Sequence, residues 1–154
     1  MTDGAMDDAV SLEIRKKVIT DQLCFQGLTE EEVHTLAQLL KVQRSNADDV
    51  IVKEGDVIDS VYFILEGEAD VCHITYMNGQ REKKSVATLK SGTSIGLNDR
   101  GFYSLTGRRT ATVIANNSML LLKLTLAVFH GFALVNPHVN KVMREHAAKM
   151  LLMR

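Results

Sequence analysis

Between residues 47 and 124 the chain is a succession of short apolar runs, each stopped by glycine or asparagine, with little room for helix between them. The run DDVIVKEGD reads as a short strand closed by a Gly55-Asp56 turn, and SVYFILEG as a strand rich in aromatic and β-branched residues that ends at Gly67. EADVCHITY alternates, with Ala69, Val71 and His73 on one face and Cys72, Ile74 and Tyr76 on the other. Asn78-Gly79 then supplies the strongest short hairpin signal, and REKKSVATL returns. TATVIA and SMLLLKL follow, joined by Asn116-Asn117-Ser118. Strands at such regular intervals predict a mainly β sandwich or small barrel.

Helical patterns flank this zone. Val10, Ile14 and Val18 are spaced to share one helical face. GLTEEEVHTLAQLL carries a start signal, because Thr29 can cap and Glu32, three residues on, completes a capping box. Behind it Val33, Leu36, Ala37 and Leu40 recur at helical spacing. After the β zone, TLAVFHGFALV reads as one short helix. Asn136-Pro137 reads as a cap residue with proline at the first position of a long helix. Its stripe is Val139, Val142, Met143, His146, Ala147 and Met150. The expected organisation is a disordered leader at residues 1–8 and a single domain at 9–154. Within that domain, helices occupy 9–46, a β-roll 47–124, and a short and a long helix 125–154.

The 154 residues suffice for one core without staples, and 45% hydrophobic with 24% charged residues is ordinary for a globular chain. A net charge of −1 argues against nucleic-acid binding by bulk electrostatics. Cys24 and Cys72 follow no secretory segment, so both read as reduced thiols, small core residues of a cytoplasmic protein. No apolar run is long enough to predict a membrane span.

Specific words then appear in order. IVKEGDVIDSVYFILEGEADV carries Ile51, Val52, Gly55, Asp56, Asp59, Tyr62, Phe63, Ile64, Gly67 and Val71, and VATLKSGTSIG adds Leu89, Gly92 and Gly96. RRTATV closes the set. Together they resemble the cyclic-nucleotide-binding domain family, the effector fold of the CAP type, over about residue 25 to the C-terminus. The resemblance implies a double-stranded β-helix, or jelly roll, with an N-terminal helical segment and a C-terminal short-plus-long helix pair. It implies a ligand that is cAMP or cGMP, while the chain offers no motif that points to catalysis or a cofactor.

In the family a phosphate-binding cassette holds the cyclic phosphate with one arginine and several backbone N–H groups. Arg109 matches that arginine, and a guanidinium presents paired donors suited to phosphate. Without the flanking words Arg109 would read as a solvated surface charge. Arg108 stands where the family has proline or another small residue, and reads as surface or as a second electrostatic contributor. Thr110 and Ala111 follow; threonine or serine at the first of these often accompanies cyclic GMP in the family, while threonine also suits a strand by propensity alone. The glycine matching Gly96 is followed in the family by a glutamate that binds the ribose 2′-hydroxyl, and here that residue is Leu97. Asn98 or Asp99 could substitute if the turn shifts. The spacing from Gly96 to Arg109 is also longer than the family's. Loss of one charge-assisted hydrogen bond to a ribose costs about 1.5–3 kcal/mol, a large fall in affinity that does not forbid binding.

The candidate ligand-binding residues are therefore Gly96, Leu97, Asn98, Asp99, Arg109, Thr110 and Ala111. His34, His73, His130, His138 and His146 form no metal-ligand spacing, and no nucleophile elbow or Walker loop occurs. Two readings stand. One is a regulatory module that binds a cyclic nucleotide and passes the event to a partner or fused output domain. The other is a degenerate cyclic-nucleotide-binding fold that serves as an interaction or dimerisation module without nucleotide. In both, the C-terminal helix is the expected contact to a second copy or effector, and no direct nucleic-acid binding is expected.

Overall fold

The structure, a computed structural model, describes residues 10–97 and 107–152, the last three by backbone alone. The expected leader at residues 1–8 lies outside the described residues. Helix α1 (Leu12–Thr20), a 3-10 turn (Leu23–Phe25) and α2 (Glu30–Gln38) lead into eight strands. These are β1 (Lys41–Ser45), β2 (Val50–Val52), β3 (Ser60–Glu66), β4 (Ala69–Met77), β5 (Gln80–Leu89), β6 (Ser94–Ile95), β7 (Thr112–Ala115) and β8 (Met119–Thr125). Helices α3 (Leu126–Val135) and α4 (Pro137–Leu152) follow.

The strands pair antiparallel in two four-stranded sheets, ordered β1-β8-β3-β6 and β2-β7-β4-β5. This is the jelly roll that the sequence words imply, with helices flanking it. In the first sheet β3 and β8 are buried along most of their length, and that explains their apolar runs. From β3 and β8, Tyr62, Ile64 and Leu121 turn to the space between the sheets, where Val52, Ala69, Ile95, Val113 and Ala115 meet them. Val61, Phe63, Leu122 and Leu124 turn the other way, onto Phe25, Leu36, Phe129, Phe132, Val139 and Met143 of the helical layer. Ala69 and Val71 join the inter-sheet cluster, as their alternation predicts.

The capping box is present: Thr29 Oγ1 accepts from Glu32 N at 3.1 Å, and Glu32 Oε1 accepts from Thr29 N at 2.8 Å. Val33, Leu36, Ala37 and Leu40 are all buried. Both cysteines are buried and unpaired with each other.

Three local expectations need correction. The predicted α1 face fails at Ile14, which is exposed; the buried residues of α1 are Arg15 and Ile19. Arg15 goes inward because its Nε donates to Val10 O at 3.0 Å and its Nη1 donates to the Leu40 carbonyl. A carbonyl beyond the end of α2 is thus satisfied by a side chain rather than by helix. The helical zone also stops earlier than residue 46, since Lys41–Ser45 forms β1 and pairs with β8, Lys41 opposite Lys123. That strand lacks clean alternation and is fixed by its neighbour. Finally, the Asn136 side chain does not cap α4: its Nδ2 donates back to Phe132 O at 2.9 Å, closing α3, while its carbonyl accepts from Val139 N.

The long helix is seated by its first two turns. Val139 and Met143 are buried, Val142, His146 and Ala147 are half-buried, and the Met150 side chain lies outside the described residues. His138 Nδ1 lies 2.8 Å from Glu32 Oε1, which ties the start of α4 to the start of α2. Burial alone would raise the Glu32 pKa, but the Thr29 backbone hydrogen bond and His138 outweigh it and hold the carboxyl below its ordinary value.

Candidate functional site

The site is built where β6 ends and β7 begins. β6 pairs with β3 over Tyr62–Ile95 and Phe63–Ser94, and the chain then turns at Gly96, whose φ is +89°. The segment at residues 107–110 comes back beside it and is fastened to the Gly55-Asp56 turn. Gly55 N donates to Arg109 O at 2.9 Å, Arg109 N donates to Asp56 O at 2.8 Å, and Ile58 N donates to Gly107 O at 2.9 Å. Arg108 Nη1 adds a bond to Gly55 O at 2.9 Å. The glycine turn before β3 is therefore the anchor of the arginine segment, with Gly55 and Arg108 53 residues apart in sequence.

This anchoring turns Arg109 inward. The side chain is only 7% exposed. Its Nη2 donates to Ser60 O at 2.7 Å. Its Nη1 is buried and has no hydrogen-bond partner among the described residues. Burial lowers the Arg109 pKa, and Tyr62, Asp59 and Asp56 oppose that shift; a guanidinium remains charged across the physiological range. A buried cation with an unanswered N–H is costly, and an anion is the partner that would answer it.

Gly96 is what lets the guanidinium sit there. A Cβ at that position would lie 2.6 Å from Arg109 Nη1 and 3.3 Å from Ser60 O. The two residues that the sequence reading placed at either end of the cassette are thus in direct apposition.

Beside them opens a cavity of about 280 Å³. This is close to the lower bound of ordinary small-molecule pockets, roughly 300 Å³. Gly96, Leu97, Arg108, Arg109, Thr110 and Ala111 line it, and Ser94, Arg108, Arg109 and Thr110 bring its polar side chains. Val52, Ile58, Val71, Leu89, Ile95 and Val113 form an aliphatic wall. Five of the seven predicted ligand-binding residues therefore line one cavity: Gly96, Leu97, Arg109, Thr110 and Ala111. Asn98 and Asp99 lie outside the described residues.

The sequence reading missed the carbonyl of Ser60 and the aliphatic wall. A signal for the wall was present, because Val52, Val71 and Val113 come from strands of one sheet and Ile95 from the facing one. Nothing in the sequence marks Ser60 O as an acceptor. Arg108 is exposed and bonded to the Gly55 carbonyl, so it serves the tether as well as the rim.

Among the described residues no group of three or more His, Cys, Asp and Glu is placed to hold a metal ion. His73 Nδ1 lies 2.9 Å from Glu54 Oε1 in a half-exposed pair. No described helix is long and apolar enough to cross a membrane.

Comparison with known proteins bears on the fold. At 25% identity over 150 residues, the chain is similar to the cyclic nucleotide-gated channel beta-3 of Canis lupus familiaris; the match takes in 95% of this chain and 18% of that one. The chain therefore spans under a fifth of that relative. Among solved structures, it is similar to the N-terminal domain of a transcriptional regulator from Streptomyces coelicolor A3(2), with a TM-score of 0.72, 23% identity, and 88% and 91% of the two chains covered. It is also similar to the regulatory domain of Toxoplasma gondii PKA crystallised with cAMP, with a TM-score of 0.65, 20% identity, and 79% and 44% covered. These structural likenesses speak for the fold. The sequence pattern of the cyclic nucleotide-binding domain matches residues 42–135, which takes in the roll from the second residue of β1 onward and α3. The chain belongs to the cyclic nucleotide-binding domain family.

Proposed function

We propose that the cavity beside Arg109 binds cAMP or cGMP, and that binding is passed through the helical layer to a partner or a fused output domain. The observation that carries this reading is that Arg109 lines the cavity while its buried Nη1 has no acceptor among the described residues. A cyclic phosphate is a compact monoanion, and its equatorial oxygen would complete the guanidinium's hydrogen bonds. The base and sugar would lie along the aliphatic wall.

The route outward runs through one sheet. Arg109 holds Ser60, the first residue of β3, while Asp59 O accepts from Leu126 N at the start of α3. A ligand that draws the guanidinium changes the load on a segment that touches both the roll and α3. For that to regulate anything, the ligand must prefer one arrangement of the helices to another.

Calorimetric titration with cAMP and cGMP tests the reading, with Arg109→Ala as the comparison. The expected result is saturable heat for the wild-type chain and an affinity lowered on the order of 10- to 150-fold in the variant, the equivalent of losing one charged hydrogen bond of about 1.5–3 kcal/mol. No heat from either nucleotide at millimolar concentration would sink the proposal and leave the interaction-module reading.

A further inference from the structure

Beyond Cys72 the β4-β5 hairpin leaves the body of the roll. β7 pairs with β4 only over Ala69–Cys72, whereas β4 and β5 stay paired as far as Met77 opposite Gln80. Asn78 and Gly79, with φ of +53° and +76°, close the ribbon as a type I′ turn does. Residues 75–88 are exposed throughout, and β5 is the edge of the second sheet, with no strand on its outer side among the described residues.

Such an edge offers backbone N–H and C=O groups to a strand that can lie beside it, and the side chains restrict which strand. β5 carries Arg81, Lys83 and Lys84 against Glu82 alone. Lys83 Nζ reaches Asp70 Oδ2 at 3.4 Å, while Arg81 and Lys84 form no ion pair among the described residues. Lysine on an edge is a common guard against self-association. A guard alone does not require large apolar groups in the open, yet Tyr76 is 74% and Met77 60% exposed. Tyr76 stands directly opposite Arg81, so the two share a face of the ribbon. Tyrosine and arginine are among the residues enriched where interface energy concentrates.

Charge selects the occupant. A second copy paired edge to edge would set Arg81, Lys83 and Lys84 of one chain beside the same cations of the other. Recognition of an anionic membrane takes a cluster of about four to eight basic residues, more than the ribbon has. Nucleic acid rewards a surplus of basic charge, and the chain carries a net −1. An acidic strand answers both the open edge and the unpaired cations.

We propose that the outer edge of β5 accepts an extended acidic segment of a partner protein as a fifth strand of the second sheet. Main-chain hydrogen bonds along β5 hold the segment. Arg81 and Lys84 meet its carboxylates on opposite faces, and Tyr76 adds apolar area beside Arg81. The inference stands apart from the nucleotide site, whose lining touches this hairpin only at its root, Val71 and Leu89.

A labelled peptide of alternating glutamate and valine, titrated with the whole chain at neutral pH and followed by fluorescence anisotropy, tests this. Its counterpart with lysine for glutamate is the comparison. The acidic peptide should bind at least about tenfold more tightly than the basic one, and lose about tenfold in the double variant Arg81→Glu/Lys84→Glu, the scale of several exposed ion pairs. Amide exchange followed by NMR should slow at alternate residues of 80–88 when the acidic peptide is bound, because only outward N–H groups gain a partner. Equal affinity for the two peptides, unchanged affinity in the variant, exchange that the acidic peptide leaves untouched, or no saturable binding at millimolar peptide would each overturn the proposal. The wild-type measurements decide it even where the variant does not fold.

Discussion

Replacing Gly96 with alanine tests the geometry of the site before any ligand is added. Two costs arise. A φ of +89° is unfavourable for any residue with a Cβ, at about 1–2 kcal/mol. The new methyl would also stand 2.6 Å from Arg109 Nη1, so the guanidinium must leave. Leaving forfeits its 2.7 Å bond to Ser60 O, worth about 1.5–3 kcal/mol for a charged donor. The sum is about 2.5–5 kcal/mol, against a total domain stability of about 5–15 kcal/mol. Gly92→Ala is the control: its φ is +93°, yet nothing lies within 4 Å of the Cβ it would gain. That variant should lose only the backbone part. At about 2–4 °C per kcal/mol for a chain of this size, Gly96→Ala should melt about 5–20 °C below wild type and Gly92→Ala about 2–8 °C below. Urea unfolding of Gly96→Ala, Arg109→Ala and the double variant isolates the contact, with an expected coupling of 1.5 kcal/mol or more, about the value of that one charged bond. Equal losses for the two glycines, or a coupling under about 0.5 kcal/mol, would refute the apposition of Gly96 and Arg109.

Two further outcomes follow from the helical layer. Glu32 has a folded pKa below its ordinary value of 4.5, so its contribution to stability is whole above 4.5 and is lost as the pH falls through the lower folded value. Glu32→Gln should flatten that part of the acid limb in urea melts recorded from pH 6 to pH 3, and an acid limb identical to wild type would show that the His138 and Thr29 bonds do not act on it. Burial pushes the Cys24 thiol up to about 12 and keeps it protonated at pH 8. In a Cys72→Ser background, Cys24 should therefore resist a disulfide reagent until urea unfolds the chain, and prompt labelling of the native state would contradict the packing.

The fold was legible where one residue type answers one physical demand. Asn78-Gly79 had to be a tight turn, Thr29 with Glu32 had to be a capping box, and the apolar runs SVYFILEG and SMLLLKL had to be strands. It was less legible where a neighbour distant in sequence decides. β1 exists because β8 offers it a ladder, and Arg15 is buried because the Leu40 carbonyl requires a donor. The site shows the same division. Gly96 and Arg109 could be picked out because a tight turn and a phosphate each narrow the choice of residue. The tether from Gly55 and Asp56, and the Ser60 acceptor, are backbone groups, and any side chain can stand above a backbone carbonyl.

The position of β8 inside the first sheet bears on how the molecule forms. Among the described residues β1 pairs with β8 alone, and β3 has besides it only the two-residue β6. β2 likewise waits for β7. Such nested closure gives most contacts a long sequence separation, which slows folding. A nascent chain that has emerged only as far as residue 118 lacks the strand that joins β1 to β3. The roll should therefore acquire protection against proteolysis in one late step during synthesis, as Met119–Thr125 emerges, rather than sheet by sheet.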